Sequence, residues 1–225
     1  MHAMKKLAED VYLLRGFPPN AINVYLVGDV LVDAATKQAK GRIMRQIRGR
    51  PVTAHTLTHA HPDHQGSSHA ICELLGIPLW CGAEDVPAGE TPGAIKNSQA
   101  PGWLNRFQER FWTGPAHPVA RPLRDGDEVA GFSVLDVPGH SRGHVAYWRE
   151  SDRVLILGDV LNNMNLMTGV PGLREPPDVF TPDPPRNRES ARRLITLEPE
   201  LVCFGHGPPL RDAHAFQDFA ARLRP

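Results

Sequence analysis

The segment 58–64, with the sequence THAHPDH, places three histidines and one aspartate within six positions. It follows an apolar stretch, 52–58, that is typical of a buried strand. His59 and His61 are two residues apart, so both imidazoles project to the same side of an extended backbone. The aspartate and the third histidine follow across a turn that Pro62 helps to fix. The fold must therefore bring four potential metal ligands to the end of one strand.

Three later elements also place a polar residue at the end of a predicted strand. They are His140 in the sequence PGHSRGH, Asp159 after a glycine, and His206 between two glycines. A glycine beside a polar residue allows the backbone to approach a crowded site closely. Imidazole and carboxylate groups suit zinc, iron or manganese. Together with the first segment, these elements predict one pocket rather than a loop of exposed histidines.

Short apolar strands alternate with helical patterns along the rest of the chain. Strands are predicted at 11–15, 22–27, 30–32, 52–58, 78–81, 128–130, 133–136, 145–148, 154–157 and 201–204. Helices are predicted at 39–48, 67–75, 188–197 and 211–223. Two proline-rich stretches, 85–118 and 162–185, are expected to be irregular, apart from one helical face in the first. This alternation predicts an α/β fold in a single domain spanning 1–225.

The composition excludes several classes of protein. Lys+Arg and Asp+Glu both number 25, so no electrostatic field favours nucleic acid. The longest apolar runs are far shorter than the roughly 20 residues that span a bilayer. The start of the chain has no apolar signal-peptide core, and three scattered cysteines without a CxxC pair indicate a reducing compartment. We therefore expect a cytoplasmic protein with a small-molecule substrate, as a monomer or a homodimer, without nucleic-acid or membrane partners.

The HxHxDH motif and the three later elements, in this order and spacing, resemble the metallo-β-lactamase superfamily over about 11–208. Within it, the resemblance is to the hydrolase branch of glyoxalase-II-like enzymes and lactonases. It implies a four-layer αββα sandwich with the metal site at one edge, between the two sheets. It also implies two sets of ligands and a bridge: His59, His61 and His140 for the first metal, Asp63, His64 and His206 for the second, and Asp159 for both.

The same resemblance implies the chemistry. Two divalent ions, with zinc expected and iron or manganese as alternatives, would share a hydroxide that attacks an ester, thioester, lactone or phosphodiester. Asp63 would orient this hydroxide and carry a proton to the leaving group. Asp33 would hold the ligands or their loop by hydrogen bonds, and His144 would support its loop or pack. Lactonases of the branch often have a tyrosine where Asn162 stands, so a lactonase would need another proton donor here.

A different enzyme class remains open. In a mononuclear iron persulfide dioxygenase of the same superfamily, His59, His140 and Asp159 would bind one Fe(II). The presence of His206 favours a second metal and therefore the hydrolase.

The remaining polar and aromatic residues receive weaker predictions. The aromatic face of Trp103, Phe107 and Phe111 is expected either to line the pocket or to pack into a core or dimer interface. Cys81 and Cys203 are predicted to be small buried hydrophobes. Five histidines have no partner in spacing and are expected to be structural or exposed, without a functional role: His2, His55, His69, His117 and His214.

Overall fold

A computed structural model of the chain describes residues 4–223, and two β-sheets form its centre. Within these residues the first sheet has seven strands in chain order: β1 (Lys5–Ala8), β2 (Val11–Leu13), β3 (Tyr25–Val27), β4 (Val30–Val32), β5 (Ala54–Thr56), β6 (Leu79–Gly82) and β7 (Val119–Leu123). Strands β1 to β4 are antiparallel neighbours, whereas β4 to β7 run parallel. Gly28 adopts a φ of 55° in the predicted turn between β3 and β4.

The second sheet contains five of the described strands. They are β8 (Glu128–Val129), β9 (Phe132–Asp136), β10 (Val145–Arg149), β11 (Val154–Gly158) and, after a separate hairpin of β12 (Asn162–Met164) and β13 (Pro171–Arg174), β14 (Leu201–Phe204). Strand β14 pairs with β11 in parallel, and the other pairs are antiparallel. The carboxyl ends of β11 and β14 therefore lie side by side, which brings Asp159 and His206, the polar residues that follow them, to the same edge of the sheet.

Helices cover the outer faces of both sheets. The described residues contain the helices α1 (Lys40–Ile47), α2 (Pro62–Gln65), α3 (Ser68–Leu75), α4 (Val86–Glu90), α5 (Trp103–Trp112), α6 (Pro184–Ile195) and α7 (Ala213–Ala221). Ile43 of α1 and Ile71 of α3 pack on the first sheet. Leu194 of α6 and Phe216 of α7 pack on the second. Gly76 ends α3 in the left-handed conformation, as predicted.

The main core lies between the two sheets. Tyr25 and Val32 of the first sheet belong to the same buried cluster as Tyr147 and Ile156 of the second. Each such side chain contributes about 1.5–3 kcal/mol through removal from water. With helices outside both sheets, the layers run helix, sheet, sheet, helix, and the predicted αββα sandwich is confirmed.

Two predictions about irregular stretches are wrong in part. The stretch 162–185 contains the β12–β13 hairpin, and the stretch 85–118 contains α4 as well as α5. The aromatic face of α5 is solvent-exposed, at 69% for Trp103, 49% for Phe107 and 45% for Phe111. The helix instead buries Asn105, whose amide donates to the carbonyls of Ala100 and Val179. The aromatic residues therefore neither fill a core nor cover the site within this chain.

Other expectations have plainer outcomes. Cys81 and Cys203 are fully buried, as predicted. None of the helices between residues 4 and 223 is both long and apolar enough to cross a membrane. The single domain and the absence of nucleic-acid partners stay predictions, and His2 lies outside the described residues.

Candidate metal centre

The seven predicted ligands lie at one edge of the two sheets, where strands end. Segment 57–61 leads from β5 into α2 and carries His59 and His61, and His61 is extended immediately before Pro62 begins the helix. Asp63 and His64 lie on α2 itself. The other three come from the second sheet: His140 lies between β9 and β10, Asp159 follows β11, and His206 follows β14. All seven are buried, with exposures between 0% and 9%. The fold therefore joins residues separated by up to 147 positions.

The ligand atoms form overlapping groups whose members lie within 4.8 Å of one another. These groups are His59, His61 and His140; Asp63, His64 and His206; and His59, His64 and Asp159. Asp159 Oδ2 lies 3.5 Å from His140 Nε2, which belongs to the first group. It also lies 3.6 Å from His64 Nε2 and 3.0 Å from His206 Nε2, which belong to the second. Asp159 is thus placed between the groups, where a bridging carboxylate would stand.

Asp33 orients two of these histidines from behind, in agreement with its predicted position. Its carboxylate accepts hydrogen bonds from His64 Nδ1 (2.9 Å), from the Thr58 N–H (2.8 Å) and from the Thr58 hydroxyl (2.9 Å). Because that hydroxyl donates to Asp33, it can only accept from His59 Nδ1, which lies 3.0 Å away. Both rings are therefore fixed with Nε2 as the free nitrogen.

The other three histidines use one ring nitrogen in the same way. Nε2 of His61 donates to the carbonyl of Ser98 (3.0 Å), which leaves its Nδ1 free. Nδ1 of His140 faces the hydroxyl of Thr181 (3.1 Å), which itself donates to a carbonyl. Nδ1 of His206 donates to the carbonyl of Ala21. Every histidine of the set therefore keeps its second ring nitrogen for the centre, as a metal ligand must.

Unpaired polar atoms test whether metal ions fit this site. His59 Nε2, His64 Nε2 and Asp159 Oδ1 are buried without a hydrogen-bond partner among the described residues. An unsatisfied buried polar atom costs about 1–3 kcal/mol, and three together are unusual in one site. Imidazole nitrogens and carboxylate oxygens are the donor set that divalent zinc, iron or manganese prefers. The residues present fit a pair of such ions.

Charge is distributed unevenly over the two groups. Burial and the neighbouring imidazoles lower the pKa of His59 and of His140 well below the ordinary value, so both are neutral, the form that binds metals. Burial also disfavours a charge on His206, but Asp159 and Asp63 outweigh it and raise the pKa of His206 to about 10. The carboxylates thus demand positive charge on their side of the site, and a divalent cation would supply it.

The crowding of the site explains one of its glycines. A Cβ atom on residue 205 would lie 2.0 Å from Asp159 Oδ1 and 2.7 Å from His64 Cε1. Only glycine at position 205 therefore lets β14 end against both ligands. His144 also packs here: its ring centroid is 4.6 Å from that of His59, and its Nε2 accepts from the N–H of Asp159 (3.3 Å). This agrees with its predicted supporting role.

Asp85 is a residue of this site that the sequence did not predict. Its carboxylate, 1% exposed, accepts from the N–H of Ala60 (2.9 Å), the hydroxyl of Ser141 (2.7 Å) and the N–H of Gly143 (2.8 Å). It therefore fastens the loop of the first two histidines to the loop of His140. A signal was present, because Asp85 follows the end of β6, a parallel neighbour of β5.

A narrow cleft opens onto the ligands. Five further residues line it: Gln108, Asn162, Leu166, Pro177 and Phe180. None of the residues that line the described cleft is a lysine or an arginine. Asn162 is 1% exposed, and neither atom of its amide has a hydrogen-bond partner in the described part of the chain. The cleft thus offers a free amide beside the predicted ligands.

Comparison with known proteins agrees with this geometry. Residues 17–206 match the family profile for the metallo-beta-lactamase superfamily. The chain belongs to this superfamily. Among curated relatives, the probable metallo-hydrolase YflN of Bacillus subtilis (strain 168) is 28% identical, over 88% of this chain and 84% of its own length. The hydroxyacylglutathione hydrolase of Bdellovibrio bacteriovorus is 42% identical, over 78% of this chain and 60% of that relative.

Solved structures have a fold similar to that of this chain. The crystal structure of TTHA1623 in a di-iron-bound form has a TM-score of 0.67 and 33% sequence identity, over 91% of this chain and 94% of its own. The predicted resemblance to the metallo-beta-lactamase superfamily is therefore confirmed. Members of this largely hydrolytic superfamily bind divalent metals with clusters of histidine and aspartate, and the described residues of this chain contain such clusters.

Proposed function

We propose that this chain is a hydrolase that holds two divalent metal ions and cleaves a small ester or thioester. The proposal rests on one observation: buried nitrogen and oxygen donors converge at one sheet edge, and three of these atoms lack a hydrogen-bond partner. The similarity to a metallo-hydrolase and to a hydroxyacylglutathione hydrolase supports cleavage of an acyl bond. Zinc is the expected ion. Iron and manganese are alternatives, because imidazole and carboxylate donors suit all three metals.

Each predicted ligand has a defined task in this proposal. Two sets would hold the ions, with Asp159 between them: His59, His61 and His140, and Asp63, His64 and His206. When bound, such ions supply an acidified water and stabilise negative charge that develops on a carbonyl oxygen. Asp63 is the most exposed of the seven, at 9%, and lines the cleft. Its carboxylate is therefore the group that can carry a proton between the site and the leaving group.

The lining of the cleft narrows the substrate class. Leu166, Pro177 and Phe180 provide apolar walls, and no lysine or arginine among the described lining residues would pair with a phosphate. These features favour a neutral ester or thioester over a phosphodiester.

Asn162 is the residue we propose for recognition of the substrate. Its amide lines the cleft without hydrogen-bond partners, so a substrate oxygen that accepts from it would satisfy a buried donor. Removing one donor to a developing oxyanion typically lowers kcat by about 100- to 1,000-fold. For Asn162→Ala we expect a loss in kcat/KM of at least about tenfold with unchanged metal content.

The experiment that tests the function combines elemental analysis with a panel of small thioesters, esters, lactones and phosphodiesters. We expect about two ions per chain in the centre and the fastest hydrolysis on a thioester or ester. His61→Ala should lose metal and activity together. The exposed His214 provides the matched control, because His214→Ala removes an imidazole far from any predicted ligand.

Two results would contradict the proposal. The first is one iron per chain, oxygen consumption when a persulfide is the substrate, and no hydrolysis of the panel, which would establish the dioxygenase alternative. Full metal content and full activity in His61→Ala would show that the cluster does not hold the reactive ions.

A further inference from the structure

A second cluster of potential ligands lies outside the metal centre. His69 and Glu73 are one turn apart on α3, and a four-residue spacing places both on the same face of the helix. His117 comes from the loop before β7, 48 positions further along the chain than His69. One donor atom from each lies within 4.8 Å of the others. The fold therefore pairs His69 with His117, which sequence spacing did not reveal.

The distances within this cluster match a coordination sphere. Nδ1 of His69 lies 3.2 Å from Nδ1 of His117, and Oε1 of Glu73 lies 3.7 Å from the same Nδ1. A tetrahedral zinc ion with bonds of about 2.0–2.1 Å separates its ligand atoms by about 3.3–3.4 Å. Two facing imidazole nitrogens can share only one hydrogen bond, whereas a cation between them uses the lone pairs of both.

His117 is held in place for such a role. Its backbone N–H donates to the carbonyl of Gly89 (3.0 Å), and only 12% of its side chain is exposed. Burial and the neighbouring His69 lower its pKa, although Glu73 works in the opposite direction. The ring is therefore neutral near pH 7, the form that binds metals. The Glu73 side chain, 64% exposed, supplies negative charge and leaves an approach from solvent.

We infer that His69, Glu73 and His117 form an additional zinc site, separate from the metal centre, with its remaining coordination position open to water. Zinc at this position would join α3 to the chain that enters β7. The segment 83–118 ends there, and it carries α4 and α5, including the Gln108 that lines the cleft. A bound ion would therefore hold the base of the segment beside the cleft, which is a structural rather than a catalytic role.

The test counts zinc in the full-length protein by equilibrium dialysis against buffered zinc. Wild type should bind one ion per chain more than His117→Ala, since loss of one of three ligands weakens zinc binding by at least about tenfold. Zinc should also raise the thermal midpoint of wild type more than that of His117→Ala, because ligand binding stabilises the folded state. Equal zinc counts in the two proteins would overturn the inference.

Two further variants make the result independent of folding defects. Glu73→Gln keeps the shape of a largely exposed side chain and removes its charge. The variant should therefore fold like wild type but bind the additional zinc ion more weakly than wild type does. His214→Ala removes an exposed imidazole elsewhere and should retain the full count. An unchanged count in Glu73→Gln, together with a reduced count in His214→Ala, would show that surface histidines bind zinc without a defined site.

Discussion

Replacement of Asp85 by asparagine should loosen the metal centre without touching any ligand. The three groups that donate to its carboxylate are the N–H of Ala60, the hydroxyl of Ser141 and the N–H of Gly143. Asparagine has one acceptor oxygen and one amino group, which is itself a donor. If the amino group faces Gly143, the N–H of Gly143 loses its acceptor. If the amino group faces Ala60, the N–H of Ala60 loses its acceptor instead. Either orientation therefore leaves one buried backbone donor unsatisfied.

The size of the effect follows from these contacts. An unsatisfied buried donor costs about 1–3 kcal/mol, and the two remaining hydrogen bonds lose the strength that a charged acceptor gives. We therefore expect Asp85→Asn to lower the free energy of unfolding by roughly 2–4 kcal/mol. Because the lost contacts fix the backbone beside His59, His61 and His140, metal affinity should fall by about 10- to 100-fold, as for other outer contacts of metal ligands.

Urea unfolding of the metal-free protein measures the first quantity, and competition with a chromophoric chelator measures the second. Asp218→Asn is the matched control, because Asp218 is exposed on α7 and the same substitution there removes no buried contact. If Asp85→Asn unfolded at the urea concentration of wild type and bound metal with unchanged affinity, the argument from unsatisfied donors would be wrong.

Three further predictions concern the surroundings of the ligands. Asp33→Asn should weaken metal binding by about 10- to 100-fold, since it disturbs the hydrogen bond that orients His64; chelator competition measures this. Gly205→Ala should fold but bind no metal, because its Cβ would lie 2.0 Å from Asp159 Oδ1. Circular dichroism tests the folding, and elemental analysis tests the metal content. Burial lowers the pKa of His55 from 6.5 to about 4, so its contribution to stability is complete above pH 6.5 and is lost as the pH falls towards 4. Between about pH 7.5 and about pH 5, wild type should lose about 2 kcal/mol more than His55→Gln in urea unfolding, and equal losses would contradict this.

The sequence predicted fully buried strands better than strands with exposed positions. The bounds of β4 and β14, both fully buried, agree with prediction to the residue. Strands β1 and β7 were missed, and they are the two edges of the first sheet. Strand β7 alternates more exposed and more buried positions and contains Pro122. Proline has no N–H to donate, and an edge strand tolerates it because no donor is needed on the open side of the sheet. Strands with exposed positions bury less apolar surface, so their sequences carry a weaker apolar signal.

The candidate site was predictable where its residues share a local rule and unpredictable where only tertiary contacts join them. The ligands each follow a buried strand, and ends of neighbouring strands meet in space. The contact of His69 with His117 and those of Asp85 with two ligand loops cross long stretches of irregular chain, for which spacing gives no rule. The helix α5 shows a related limit: four-residue spacing predicted its aromatic face correctly, but not that Asn105 would face the protein.

The position of the metal centre couples it to the packing of the sheets. His59 and His61 are carried by the end of the first sheet, whereas Asp159 and His206 are carried by the second. Ions bound by both sets would cross-link the two sheets at the edge of their shared core. Binding to the folded state alone stabilises it by about 4 kcal/mol when free metal is 1,000 times Kd. The same linkage acts in reverse, so any change that lets the sheets separate must lower the affinity for the ions. Stability of this fold and affinity for metal at this centre are therefore thermodynamically linked.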